Sequence, residues 1–305
     1  MIAVTIGIGE KYKKLAHYAS QAVQRMTGLK TLILDDQHFA ACGLPQPHHL
    51  KLRLFDYVDE DEVMFFDSDM VCLNPWNPER FVKNDALVAV VERPVPTIMR
   101  ICKAWDIPWH EYFNAGLMIF KRKCHQEWLR ETEKFVLTDK RFLEYDPYDQ
   151  AALNVTRHRL GLRLELLDRR YNWIGFGIGK LCFEVPVFMA HGLSDGNRFA
   201  NLDFFEGRAK PPFDWHLKID EEEMNHLKNR TLRLKGGHQE KSLHLNSDGT
   251  IGPPFHPGMG CYWFAHRQAA SHTLAIASQR ELIQEYAKAG DGLWESVQEL
   301  RPIPN

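Results

Sequence analysis

Asp67 and Asp69 stand at the end of an apolar run, Val63 to Phe66, inside the stretch EVMFFDSDMVCL from Glu62 to Leu73. A short apolar run with acidic flanks reads as a buried central strand. Carboxylates at the end of such a strand are costly unless something partners them. Residues two apart on an extended backbone point to the same side, so the two carboxylates would converge. Two hard oxygen ligands at that place suit Mg²⁺ or Mn²⁺. The C-terminal edge of an open α/β sheet is also where ligands bind. The D-x-D spacing is weak by itself, because Asp59-Glu60-Asp61 repeats it just upstream. That copy follows no apolar strand and reads as a solvated loop. Asp67 and Asp69 could also be turn formers after the strand, but the flanking pattern favours a metal.

The elements around this pair alternate. Ile2–Ile8 reads as a strand. Lys11–Met26 reads as a helix with Leu15, Ala19, Ala22, Val23 and Met26 on one face and Gly28 as its stop. Thr31–Leu34 is a second strand, His49–Val58 is helical, and Val63–Phe66 is the third strand. This order predicts a parallel sheet with helices on both faces. Asp85–Val91, Gly116–Phe120, Leu162–Leu167 and Val187–Ala190 read as further strands. Cys124–Val136 and Tyr148–Arg157 read as helices, and the proline-containing stretch Pro94–Pro108 as irregular. The acidic run Glu221–Glu223 fits a solvated helix face.

The pattern changes near residue 230. Thr231–Lys235 and Ser242–Leu245 alternate polar with apolar, Asp248-Gly249 marks a turn, and Cys261–Phe264 and Thr273–Ala277 are short strand candidates. This argues for a small antiparallel sheet. The expected division is a main domain over 1–220 and a small β-rich module over 231–305.

The chain has 305 residues, is 44% hydrophobic and carries a net charge of −2, which gives no electrostatic case for nucleic acid or an anionic membrane surface. Its six cysteines form no C-x-x-C and no zinc spacing, which points to a reducing compartment. Met1–Gly9 lacks the charged start of a signal peptide, and no apolar segment reaches the length of a membrane span. The expected location is cytoplasmic.

Four further segments carry polar residues at element ends. Asn114-Ala115-Gly116 precedes the strand LMIF. Asp149-Gln150 opens a helix containing Asn154. Asp168 ends a strand before Arg170-Tyr171-Asn172-Trp173, and His191-Gly192 follows VPVFMA. Singly, each has a plain reading: a turn, a helix N-cap, a core histidine. Taken in order, the segments VTIGIGEKY, HLKL, MFFDSDMV, YFNAGLMIF, YDQAALN, LLDRRYNW and VFMAHG resemble the GT-A glycosyltransferases. The likeness is to the glycogenin and bacterial lipopolysaccharide galactosyltransferase group, over Ile2 to Phe199.

The resemblance implies an α/β, Rossmann-like GT-A fold and a metal-dependent transfer of sugar from a nucleotide sugar, UDP-linked, with retention of configuration. The acceptor would be a carbohydrate or glycoconjugate. It implies that Asp67, Asp69 and His191 hold Mn²⁺ (or Mg²⁺). Thr5, Ile6 and Gly7 would border the nucleoside, Tyr12 would stack on the base, and Lys51 and Ser68 would bind the donor. Asn114 and Gly116 would shape the sugar pocket, with Asp149 and Gln150 facing the transferred sugar. The family often continues His-x-x-Gly-x-x-Lys-Pro-Trp. Here no lysine stands at that place, and Arg198, one residue further on, has the side chain that could clamp phosphate instead. An inverting enzyme would need a carboxylate base, for which Asp149 and Asp168 qualify. Two rival readings are a sugar nucleotidyltransferase and a non-catalytic carbohydrate-binding protein. Ile6-Gly7-Ile8-Gly9-Glu10 has glycines but no basic triphosphate loop, and the pairing of DSD with His191 argues for catalysis.

Overall fold

The computed structural model describes residues 1–82, 85–92, 96–139, 148–167, 169–174, 188–192, 218–219, 221–236, 239–246, 251–252, 262–268, 271–277, 282–288 and 293–298. Two compact units emerge: Met1–Ile174 with Val187–Phe199, and Gly175–Pro186 with Ala200–Asn305.

The strands of the first unit are β1 (Ile2–Ile6), β2 (Lys30–Leu34), β3 (Glu62–Phe66), β4 (Met70–Cys72), β5 (Leu87–Val91), β6 (Phe113–Lys121), β7 (Leu164–Leu167), β8 (Trp173–Ile174) and β9 (Met189–His191). Its helices are α1 (Gly9–Thr27), α2 (Asp36–Cys42), α3 (Pro96–Trp105), α4 (Arg122–Thr138) and α5 (Gln150–Arg159). Six strands form the main sheet in the order β2-β1-β3-β6-β5-β7. Three more form a small sheet, β4-β9-β8. The α/β class follows the sequence, and α1 ends where Gly28 takes a left-handed conformation, φ 75°.

The sheet departs from the expected all-parallel order at one strand. β1 runs parallel to β2 and β3, and β5 to β7, but β6 is antiparallel to both β3 and β5. β6 is buried from Phe113 to Phe120. A continuous apolar run reads the same in either direction, so the pattern does not encode strand polarity. The stretch expected to be irregular holds α3. Pro96 opens this helix, where its missing N–H costs nothing, and Ile98, Ile101 and Cys102 supply a buried face at helical spacing. The segment expected as a helix over 49–58 is a 3-10 helix, Pro47–Asp56.

Val4, Val63, Phe65, Leu87, Ala89, Met118, Phe120 and Trp128 belong to one continuous buried core. Burial pushes the Cys72 thiol up to about 12, consistent with inert packing. Cys42, Cys72, Cys102 and Cys124 are free thiols. Among the described residues, no helix is long and apolar enough to cross a membrane.

The second unit contains α6 (Glu221–Leu227) and a seven-stranded sheet. Its strands are β10 (Lys218–Ile219), β11 (Arg230–Gly236), β12 (Gln239–Leu245), β13 (Tyr262–Gln268), β14 (Ser271–Ala277), β15 (Leu282–Lys288) and β16 (Leu293–Gln298), in the order β10-β13-β14-β15-β16-β11-β12. All neighbours pair antiparallel except β11 and β16. Leu232, Leu234, Leu243, Leu245, Leu274, Ile276, Tyr286 and Trp294 pack into its core. The acidic run is not wholly solvated: Glu223 is buried, with Lys288 Nζ 3.3 Å away. The Asp248-Gly249 turn lies outside the described residues.

Candidate active site

The chain leaves β3 at Phe66 and turns at once. The Met70 N–H donates to the Asp67 carbonyl at 3.1 Å, so Asp67-Ser68-Asp69 is a turn rather than the extended strand end expected from the sequence. The turn is what allows β4 to fold against β9, with Met70 opposite His191. The Gly192 N–H donates to the Asp69 carbonyl at 3.0 Å and fixes that register. His191 Nε2 thereby lies 3.3 Å from Asp69 Oδ1 and 3.5 Å from Asp67 Oδ2. One ligand atom from each of the three residues falls within 4.8 Å of the others.

The imidazole is held from behind. Asn172 Oδ1 lies 2.9 Å from Nδ1, and Asn172 Nδ2 donates to Asn114 Oδ1 at 2.7 Å. The Gly116 N–H donates to that same oxygen at 2.8 Å. A side chain on Gly116 would put its Cβ 2.5 Å from His191 Cε1, so glycine is required for the ring to lie where it does. Burial alone would lower the His191 pKa, but the Asp69 and Asp67 carboxylates outweigh it and hold the imidazole above its ordinary value. Burial raises the Asp67 carboxyl against the opposing pull of Lys51 and His191. Two carboxylates and an imidazole nitrogen facing one another fit a divalent cation such as Mn²⁺ or Mg²⁺.

Lys51 comes from the 3-10 helix and is buried. Its ammonium lies 3.0 Å from Asp149 Oδ2, 3.7 Å from Asp67 Oδ1 and 4.6 Å from the Phe65 ring centre. Desolvation works against the charge, but Asp149 and Asp67 together raise the Lys51 pKa. Asp149 makes no side-chain cap to α5, so the plain N-cap reading fails; its carboxylate is turned to Lys51 instead. Gln150 accepts from the Ala115 N–H at 3.0 Å and donates to Glu92 at 3.1 Å. Asn154 ties α5 to β6 through Phe113, accepting from its N–H at 2.8 Å and donating to its carbonyl at 2.9 Å.

Two cavities meet at these groups. The smaller, about 300 Å³, is lined by Asn114, Ala115, Gly116, Asp149, Gln150 and an apolar wall from Ile98 and Ile101 of α3. The larger, about 530 Å³, is lined by Ile6, Ile8, Tyr12, Pro47, Ser68 and Asp69. His48, Lys51, Asp67, Tyr148 and His191 line both. Tyr12 is 44% exposed. Thr5 is buried and lines neither cavity, its hydroxyl having no partner among the described residues. Gly7 lines neither; a Cβ there would stand 2.8 Å from the Ala16 Cβ, so glycine lets α1 approach β1 closely. Asp168 and Arg198 lie outside the described residues.

Sequence reasoning missed Glu92, named Asn172 only within a motif and gave it no role, and took the stretch that holds α3 for an irregular loop. Glu92 carried a usable signal. It follows five buried residues, Leu87–Val91, as Asp67 follows β3.

No family model matches the sequence, and no curated protein matches it. Solved structures do. The bifunctional glycosyltransferase WbbM, in its apo form, aligns with TM-score 0.51 and 14% identity over 70% of this chain and 50% of its own. The chain has the GT-A fold. The galactosyltransferase LgtC in complex with donor and acceptor sugar analogues aligns over 74% of this chain and all of its own, with 16% identity and TM-score 0.48. Mouse xyloside xylosyltransferase 1, apo form, aligns over 63% of this chain and 97% of its own, with 12% identity and TM-score 0.43. In this GT-A chain, the Asp-Asp-His cluster sits at the C-terminal end of β3, where open α/β sheets bind ligands.

Proposed function

We propose that this protein is a metal-dependent glycosyltransferase that moves a sugar from a UDP-linked donor to a carbohydrate or glycoconjugate acceptor, with retention of configuration. The observation that carries this reading is that two cavities meet at the Asp67–Asp69–His191 cluster. The larger suits a nucleoside and the smaller a hexose, with the diphosphate between them. Mn²⁺ or Mg²⁺ held there would neutralise charge building on the departing nucleotide.

The chain's own residues divide the remaining work. Tyr12 supplies a ring for the base, with Ile6 and Ile8 beside it. Lys51 stands at the junction of both cavities and fixes Asp67 and Asp149 in place. Asn114, Gly116 and Gln150 form the polar side of the sugar pocket, and the apolar wall of α3 excludes water from the other side. Retention is supported by what the carboxylates do. Among the described residues, those lining the smaller cavity are Asp67 and Asp149, and Lys51 lies beside both. Both carboxylates are thus engaged with Lys51, whereas an inverting base must be placed to take the proton of the acceptor hydroxyl. Asp168 enters only as a candidate base for inversion, and Arg198 is offered for the diphosphate where the family has a lysine; both lie outside the described residues. All these residues precede residue 200, so donor chemistry is assigned to the first unit.

A panel of nucleotide sugars screened by thermal shift, with and without Mn²⁺, tests the reading. A true donor raises the apparent stability by mass action, and only with the cation. A panel without a Mn²⁺-dependent shift would overturn it.

A further inference from the structure

We propose that Glu92 acts through Asn114 and Asn172 to decide which nitrogen of His191 carries the proton, leaving Nε2 free to face Asp67 and Asp69. The proposal rests on the metal-site reading above and deepens it.

An ionised carboxylate only accepts. Asn114 therefore presents its amide nitrogen to Glu92 Oε2, at 2.5 Å. Its oxygen is then turned the other way, where the Gly116 N–H, a donor that cannot be reversed, meets it at 2.8 Å. The same oxygen leaves Asn172 only its amide nitrogen to offer, at 2.7 Å. Asn172 must then show its oxygen to His191, and Nδ1, 2.9 Å away, must hold the hydrogen. Gln150 reinforces the start of the chain. Its nitrogen donates to the same Glu92 oxygen, and its own oxygen accepts from the Ala115 N–H.

The Asn114 and Gln150 amides are thus each fixed at both ends, by the Glu92 carboxylate and by a backbone N–H, and Asn114 in turn orients Asn172. Asn114 and Asn172 are buried, so water does not compete for these bonds. With the hydrogen on Nδ1, Nε2 is the nitrogen whose lone pair is left to ligate a cation. Partners that orient a ligating histidine in this way commonly contribute 10–100-fold in metal affinity. Glu92 and Asn172 are positioning residues for His191.

The test is ¹⁵N NMR of protein labelled in its histidine side chains, metal-free, at a pH where the imidazole is neutral. The His191 signal is identified by its loss in His191→Gln. The expected result is the Nδ1–H tautomer in the wild type. Asn172→Leu should release the lock and weaken Mn²⁺ binding, read by electron paramagnetic resonance, by about 10–100-fold. Glu92→Leu should do the same to a smaller degree. Asn172→Asp should restore the tautomer, because a carboxylate still accepts from Nδ1; a merely structural role would show no such rescue. A wild-type His191 protonated on Nε2 overturns the proposal without any variant having to fold. So does an unchanged tautomer in both leucine variants. Absence of Mn²⁺ binding by the wild type would instead refute the metal reading, while the NMR result still decides the relay.

Discussion

The two units differ in what they bury. The first closes Lys51, Asn114, Asp149, Asn154 and Asn172 away from water, each within reach of a named partner. The second packs leucines, isoleucines, Tyr286 and Trp294. Among its described residues, Glu223, beside Lys288, is the buried charge. Burying polar groups is costly unless they are paired. A unit that carries so many is organised around chemistry, whereas the cluster of buried side chains described in the second unit is mainly apolar and holds its strands together. Substitutions in the first unit should therefore change ligand binding, and those in the second should change stability.

The largest expected effect sharpens that division. Asp69→Asn should abolish transfer and Mn²⁺-dependent UDP binding while the melting temperature stays near the wild-type value. Calorimetry with UDP and Mn²⁺ checks this, and an unchanged Mn²⁺ dependence would remove Asp69 from the metal site. The opposite result is expected for Trp294→Ala. Truncating a buried tryptophan should cost about 3–5 kcal/mol of stability in denaturant unfolding, with UDP affinity of the folded protein unaltered. A large loss of UDP affinity would break the comparison by placing the second unit in the donor site.

Tyr12→Ala should cost about 1–3 kcal/mol of UDP binding, the range for base–aromatic stacking, with little change in stability because Tyr12 is largely exposed. Identical affinity by calorimetry would remove Tyr12 from the base site.

The smallest effect concerns acid. Burial lowers the His49 pKa from 6.5 to about 4, helped by the neighbouring His48. The unfolded chain takes up this proton first as pH falls. His49 therefore makes no difference above about pH 6.5 and removes stability between there and about pH 4, by about 1.4 kcal/mol per pH unit at most. Denaturant unfolding across that window should slope downward, and His49→Leu should flatten the slope. Hydrogen exchange should locate the acid-sensitive opening in the first unit.

Much of this division was legible without coordinates. Four buried residues running into two carboxylates announced a site at the end of β3. The alternation after residue 230 announced a second sheet, antiparallel in every pairing but that of β11 with β16. The ordered segments from Val4 to Gly192 announced the GT-A fold. These features are local: they record the period of burial along the chain, the abrupt arrival of charge, and the order of short motifs.

What tertiary structure decided is pairing. The direction of β6 cannot be read from an apolar run that is symmetric along its length. The helix over Pro96–Trp105 was hidden by the prolines around it, although its apolar spacing was present. The turn at Asp67–Asp69 brings the carboxylates to His191 only because β4 and β9 pair with Met70 opposite that histidine. Asp149 could be a cap or an ion pair until Lys51 came within 3.0 Å of it. Glu92, Asn114 and Asn172 became a single hydrogen-bonded chain only when β5, β6 and the segment before β8 were side by side. Sequence fixes which residues can donate, accept or carry charge; the long-range register of strands decides which of them meet.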